Sequence, residues 1–264
     1  MTAVRRSLVT AAALLLAGQS TSTADPTPAT LEPGILSVCL YPGFAPVSSK
    51  DAAGRFVGTD VDYLEAFASS IGLRLQPVEM PNYIGIWEKP AQDACDIAAS
   101  GISDTPDRRA SAGPGVVWSA HYDSVLRALL VRPADANTVN GVEDLRGRTV
   151  IVTQDSTADH DLRNRLARAA ITTTTILTTT DEEDAARQVR DAAQTGEPFA
   201  YAGGLVSVQY LVSTLGGLAA TWPHPIMQSD GAEVSEPFSF VVRTLDTGLV
   251  EALDRFIATT PYPL

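Results

Sequence analysis

Residues 35–78, ILSVCLYPGFAPVSSKDAAGRFVGTDVDYLEAFASSIGLRLQPV, hold one strand–helix–strand unit, and their reading decides the fold class. Ile35 to Leu40 is a short, continuous apolar run, the pattern of a strand covered on both faces. Tyr41 to Pro46 is a loop, and the DAAG ending at Gly54 is a turn signal. Val61, Leu64, Phe67, Ala68 and Ile71 recur at helical spacing, with Asp60 as the expected N-cap and Gly72 as the residue beyond the end. Leu73 to Val78 then reads as a second strand.

The same rhythm continues outward. Asp96 to Ser100 (DIAAS) is strand-like, and a helix start is expected within Ser103–Arg108. Leu126 to Val131 and Thr149 to Thr153 are further strands, followed by a helix over Asp159–Ala170. The threonine tract Thr172–Thr180 suits a strand through its β-branched side chains. Asp181 caps a helix running to about Ala193, and Phe199 to Ala202 is a short strand before Gly203-Gly204. A helix starts near Leu205, Phe238 to Arg243 (FSFVVR) is a late strand, and Leu249 to Ile257 is a last helix. Alternating strands and helices imply α/β units with mainly parallel sheets.

The 264 residues suffice for one large domain or two modest ones. With 45% apolar and 19% charged residues the chain can bury a core. The formal net charge is −12, and Lys50 and Lys89 are the only lysines, so nucleic acid and anionic membrane surfaces are excluded as expected partners. Arg5 and Arg6, the apolar run Ser7–Ala17 and the small residues Ser22-Thr23-Ala24 read as a signal peptide over 1–24, with a proline-rich linker over 25–33. The apolar run is too short to span a bilayer. No cysteine lies near the cleavage site, so the expected location is periplasmic or extracellular without a lipid anchor. Export permits a disulfide. Cys39 lies in the first strand and Cys95 just before another, which leaves a bridge or two free buried cysteines.

The segment richest in chemistry is Ser100-Gly101-Ile102-Ser103-Asp104-Thr105-Pro106-Asp107-Arg108. A strand ends, the chain turns through glycine, and hydroxyl residues with an early proline open a helix. Free N–H groups at a helix start plus an arginine suit a carboxylate. An ordinary capped helix would show the same residues.

This segment resembles the S-x-x-S-x-T-x-x-R stretch of the bacterial extracellular solute-binding proteins of family 3, the polar-amino-acid type. Ile35–Val47, Gly54–Gly72 and Asp144–Thr157 (DLRGRTVIVTQDST) are similar to three further stretches of that family, in the same order. The resemblance implies a two-lobed, periplasmic-binding-protein-like α/β fold of type II, two α/β sandwich lobes joined by two hinge strands. It places lobe one at 34–126 plus 238–264, lobe two at 127–237, and the crossings near Ser124–Val131 and Glu236–Val241. It implies the ligand-capture component of an ABC importer: a monomer with a small-molecule ligand, a permease partner, and neither cofactor nor metal.

Site residues follow from the same resemblance. Arg108 falls at the position of the carboxylate clamp, and Ser100 and Ser103 at polar positions of that loop. Phe44 matches an aromatic wall, with Tyr83, or alternatively Trp87, opposite. Ser156 and Thr157 match the second-lobe loop, where either could also be a plain helix cap. Tyr41 and Gly203 stand where amino-acid binders carry acids for the α-ammonium, so a carboxylate without an amine is an equally open ligand; Asp155 is a possible substitute acid. Arg109 is expected to face solvent, Asp60 and Asp62 to have no binding role, and the run Asp181–Asp184 to be a solvated helix start. His121, His160 and His224 are scattered without metal-ligand spacing, and Asp159 and Asp161 fall on different helix faces from His160. Two alternatives stay open: a dehydratase of the cyclohexadienyl type on the same scaffold, and an accessory protein of a periplasmic dehydrogenase.

Overall fold

The structure is a computed structural model that describes residues 28–192 and 197–263. The expected signal peptide and the first residues of the linker lie outside them. Among the described residues no helix is long and apolar enough to cross a membrane.

Ile35–Leu40 is buried at every position because it is flanked on both sides, by Arg74–Glu79 and by Ile97–Ala98, both parallel to it. Val241–Arg243 and Val116–Trp118 complete this five-stranded sheet, with Val241–Arg243 antiparallel to both neighbours. Alternation sends Leu36, Val38 and Leu40 to one face, where they meet Val61, Leu64 and Phe67 of helix α1 (Thr59–Ser70) and Leu249 and Leu253 of α6 (Leu249–Thr259). Cys39 points to the other face, among Ile86, Trp87 and Ile102. It is joined to Cys95 by a disulfide, which resolves the alternative left by the sequence.

The second sheet runs Thr175–Thr179, Thr149–Thr153, Pro198–Gly204, Arg127–Val131, Ala219–His224. Thr149–Thr153 is parallel to its two neighbours, whereas Arg127–Val131 is antiparallel to both of its own. Val150 and Val152 pack with α3 (Thr157–Arg168) on one face. Ile151 packs with α4 (Glu182–Asp191) and α5 (Leu205–Leu215) on the other.

In each sheet four strands run the same way and one, Val241–Arg243 in the first and Arg127–Val131 in the second, runs against them, so the sheets are mainly parallel with a single reversed strand. Within these two sheets the strands that sequence reading missed are Val116–Trp118, only three residues long, and Ala219–His224, an edge strand holding Pro223 and a register shift after Thr221. The expected strand Phe238–Arg243 is two elements. Glu236–Phe238 pairs antiparallel with Asp123–Val125 as the crossing between the lobes, and Val241–Arg243 re-enters the first sheet. The first sheet thus takes strands from both sides of the second in sequence, and the chain crosses between the lobes twice.

Candidate functional site

The cleft between the lobes begins with a carboxylate that supports it from below. Asp60 is not an N-cap: α1 starts after Gly58, and the Asp60 side chain is turned inward and fully buried. Its Oδ2 accepts the backbone amides of Ser100 and Gly101, both at 2.8 Å, and the hydroxyl of Tyr122 at 3.2 Å. Its Oδ1 accepts the hydroxyl of Tyr262 at 2.6 Å. Burial pushes the Asp60 carboxyl up, and the four donors pull it back.

This support holds Ser100 at φ 95°, a conformation costly for a residue with a side chain. The Ser100 hydroxyl accepts from the Tyr41 amide at 2.9 Å and lies 2.7 Å from that of Ser48. Ser100 is therefore beneath the loop and does not face the cleft, contrary to the ligand contact expected of it. Gly101, at φ 60°, has no room for a side chain, because a Cβ would lie 2.4 Å from the Phe44 ring.

Beyond the loop Thr105 caps α2 (Pro106–Ala112), accepting from the Arg108 amide at 3.4 Å, with Pro106 in the first turn. Arg108 lies in that turn, 7% exposed, with its guanidinium 4.5 Å from the Trp87 ring centroid and 5.4 Å from that of Tyr83. Nη1 donates to the Ser103 carbonyl at 3.2 Å and reaches the Tyr83 hydroxyl at 3.4 Å. No carboxylate pairs with it among the described residues. Arg109 faces outward, held by Asp104 at 2.5 and 2.6 Å.

Tyr41, Phe44, Tyr83, Ser103, Arg108, Ser156 and Thr157 line one cleft together, as the resemblance implies. Trp87 is not among its lining residues; it stacks behind Arg108 and donates to Ser111 at 2.7 Å. The Ser103 hydroxyl faces Glu236, donating to Oε1 at 2.5 Å. Ser156 caps α3 by accepting from Asp159 N at 3.2 Å. The Tyr41 hydroxyl crosses the gap to the Thr180 carbonyl at 3.2 Å, so the lobes touch and the cleft is closed there.

Two ionisable groups in the cleft escaped sequence reading. Glu182 was assigned to a solvated helix start, with Asp181 as cap. Asp181 does cap α4, accepting from Asp184 N at 2.9 Å, but Glu182 is half-buried and lines the cleft. Burial raises its pKa, opposed by the hydroxyls of Tyr201, Ser207 and Thr153 and by the charge of Arg127. The cleft thus holds an acid, at neither Tyr41 nor Gly203, while Asp155 is exposed and outside it. Nothing in the run Asp-Glu-Glu-Asp distinguishes its second member.

Arg127, which opens the buried strand RALLV, lines the cleft as well. Its Nε lies 2.7 Å from Glu236 Oε2, out of line for a hydrogen bond. A charge heading an apolar run was the available signal. Among the described residues no group of three His, Cys, Asp or Glu could hold a metal. Asp161 is engaged elsewhere, by Arg165 at 3.0 Å and His224 at 3.0 Å, bracing α3 against Ala219–His224.

Two α/β lobes, two crossing strands and a closed cleft with a buried arginine define a two-lobed solute-binding protein. The chain belongs to the bacterial extracellular solute-binding proteins, family 3, whose model matches residues 36–261. It is similar to the arginine-binding protein ArgT of Corynebacterium glutamicum, 28% identical over 142 residues, covering 51% of this chain and 42% of that one. It is also similar to the cyclohexadienyl dehydratase of Pseudomonas aeruginosa, 30% identical over 143 residues, covering 53% of this chain and 52% of that one. The matches thus span about half the length of each of these relatives.

Among solved structures, an ancestral arginine-binding protein bound to arginine superposes with a TM-score of 0.69 at 21% identity, covering 85% of this chain and 91% of that one. The substrate-binding protein AbpA of Streptococcus pneumoniae, bound to L-arginine, gives 0.67 at 21% identity, covering 85% and 88%. At these identities the likeness is one of fold.

Proposed function

We propose that this protein is the exported substrate-binding component of an ABC importer and that it captures a small carboxylate-bearing solute between its lobes for delivery to a permease. The observation that supports this most directly is the Arg108 guanidinium: buried, stacked on Trp87, facing the cleft, and unmatched by any carboxylate among the described residues. Leaving such a charge unpaired is costly, and a ligand carboxylate supplies the missing partner. The start of α3 faces the same space, adding a positive helix end. A bound solute stabilises the folded form by mass action, so thermal-shift and calorimetric titrations against amino acids, organic acids and amines test the reading. One class of carboxylate should raise Tm, and Arg108→Ala should abolish the rise; an undiminished rise in that variant defeats the assignment.

A second reading draws on Glu182. A cleft carboxyl with a raised pKa can donate a proton to a leaving hydroxyl, as a dehydratase requires. Turnover of prephenate-like cyclic acids, lost in Glu182→Gln, would establish it; an absence of turnover at saturating substrate would leave capture alone. An accessory role for a dehydrogenase calls for a blocked cleft and draws no support from one presenting the Arg108 guanidinium without a carboxylate partner among the described residues.

A further inference from the structure

The carboxylates in and beside the cleft are already engaged, and the donors are not. Glu236 takes the Ser103 hydroxyl on one oxygen and faces Arg127 Nε with the other. Glu182 sits against Thr153, 3.4 Å away, and the Tyr201 hydroxyl, and burial holds it toward its neutral form. Against these stand two guanidinium groups. Arg108 uses only Nη1. Arg127, its side chain 8% exposed, bonds through neither terminal nitrogen among the described residues. Those nitrogens lie near Gly204, where an added Cβ would come within 3.8 and 3.9 Å of them. Arg127 and Gly204 both line the cleft. Thr157 and Ala158, in the first turn of α3, also line it.

A donor-rich, acceptor-poor cavity selects a ligand that brings acceptors in more than one place. One carboxylate answers Arg108. Arg127 is a second guanidinium, entering from the strand that follows the crossing whereas Arg108 enters from α2. We infer that the solute carries two carboxylate groups, one clamped by Arg108 and the other by the terminal nitrogens of Arg127, in the manner of a compact dicarboxylic acid or an acidic amino acid. This rests on the solute-capture reading above and narrows its substrate class. Glu236 is the standing ion-pair partner of Arg127 on its Nε side, which leaves the terminal nitrogens for the ligand.

The test is a calorimetric titration of the mature protein with L-glutamate, L-aspartate and succinate against L-glutamine, butyrate and L-arginine. L-glutamate and L-glutamine differ only in whether the distal group is charged, so their affinity ratio isolates the second anion site. The dicarboxylates should bind at least ten-fold more tightly than L-glutamine, butyrate and L-arginine, each of which carries a single carboxylate. In Arg127→Met the glutamate-to-glutamine ratio should collapse toward one, and in Arg127→Lys, which keeps a charge opposite Glu236, it should be intermediate. L-glutamine or L-arginine binding as tightly as L-glutamate to the unmodified protein overturns the inference while solute capture stands, and this result needs no variant to fold. Binding of every panel member unchanged by Arg108→Ala overturns the solute-capture reading as well, and a protein that binds none of them overturns both.

Discussion

The two walls of the cleft are built by different means. On the first lobe the ligand loop is fixed from beneath. Asp60 gathers four donors, Ser100 is held in a strained conformation, and the Cys39–Cys95 bridge ties the strand Ile35–Leu40 to the segment entering its neighbour Ile97–Ala98. On the second lobe the facing groups sit at helix ends and strand ends. Ser156 caps one helix, Asp181 another, and Glu182 rests against hydroxyls. The first wall is braced by buried hydrogen bonds and a disulfide, whereas the second presents polar groups from helix and strand ends. Removing a support of the first wall should unsettle the fold, and removing one of the second should cost little stability.

The largest effect is expected at the disulfide. Its cysteines are 56 residues apart, and a loop of that size corresponds to about 4 kcal/mol in the chain-entropy account. Cys39→Ala/Cys95→Ala should lose stability of that order in urea unfolding; a loss below about 1 kcal/mol would show that packing alone holds this wall. Next comes Asp60. Asp60→Ala strands two buried amides and two hydroxyls and should cost about 3 kcal/mol. It should also weaken ligand binding more than an equally destabilising core substitution such as Leu253→Ala, because the Ser100–Gly101 loop is released.

Much of the fold was legible in the sequence, for a physical reason. Ile35–Leu40 and Thr149–Thr153 are apolar runs, and α4 and α6 announce themselves by a cap or by spacing, so local pattern and tertiary environment agree there. Asp60 was not legible: an acid in a first helical turn reads as a dipole partner, and only the return of the chain at Ser100 and Tyr262 shows why it is buried. Glu182 and Arg127 failed similarly. One is hidden among three like neighbours and the other heads a strand, and only the meeting of the lobes turns both into cleft groups. Arg108, Phe44 and Thr157 reached the cleft because a linear motif carries them; Ser100 shares that motif, yet its side chain turns under the loop. Sequence pattern thus located the first wall and its neighbours better than it oriented individual side chains.

The first lobe also carries a titrating support. Asp246 is buried, and its pKa is raised to about 6, chiefly by desolvation and further by Asp96, with Arg243 opposing. The folded protein therefore holds a proton that the unfolded chain has released between the ordinary carboxyl range and about pH 6. The contribution of this group to stability is present below that range and is lost as pH rises through about 6. Asp246→Asn should flatten the fall in stability between pH 4 and 7 by on the order of 1–3 kcal/mol. Urea midpoints measured across that range check it, and parallel curves for the two proteins would contradict it.

The smallest effect separates the two walls most sharply. Ser156 accepts from Asp159 N and lines the cleft, so it is both a cap and a wall residue. Ser156→Ala should cost about 1 kcal/mol of stability, as loss of a helix cap does. Ser156→Asp keeps an equivalent cap and should unfold within about 0.5 kcal/mol of the parent, yet it sets a carboxylate beside the α3 amides, where a ligand acid would lie. Its stability should therefore stay while carboxylate binding falls at least ten-fold. Ligand titration and urea unfolding of the same preparation decide: if binding is kept, the start of α3 takes no part in holding the anion, and the second wall contributes only through Arg127.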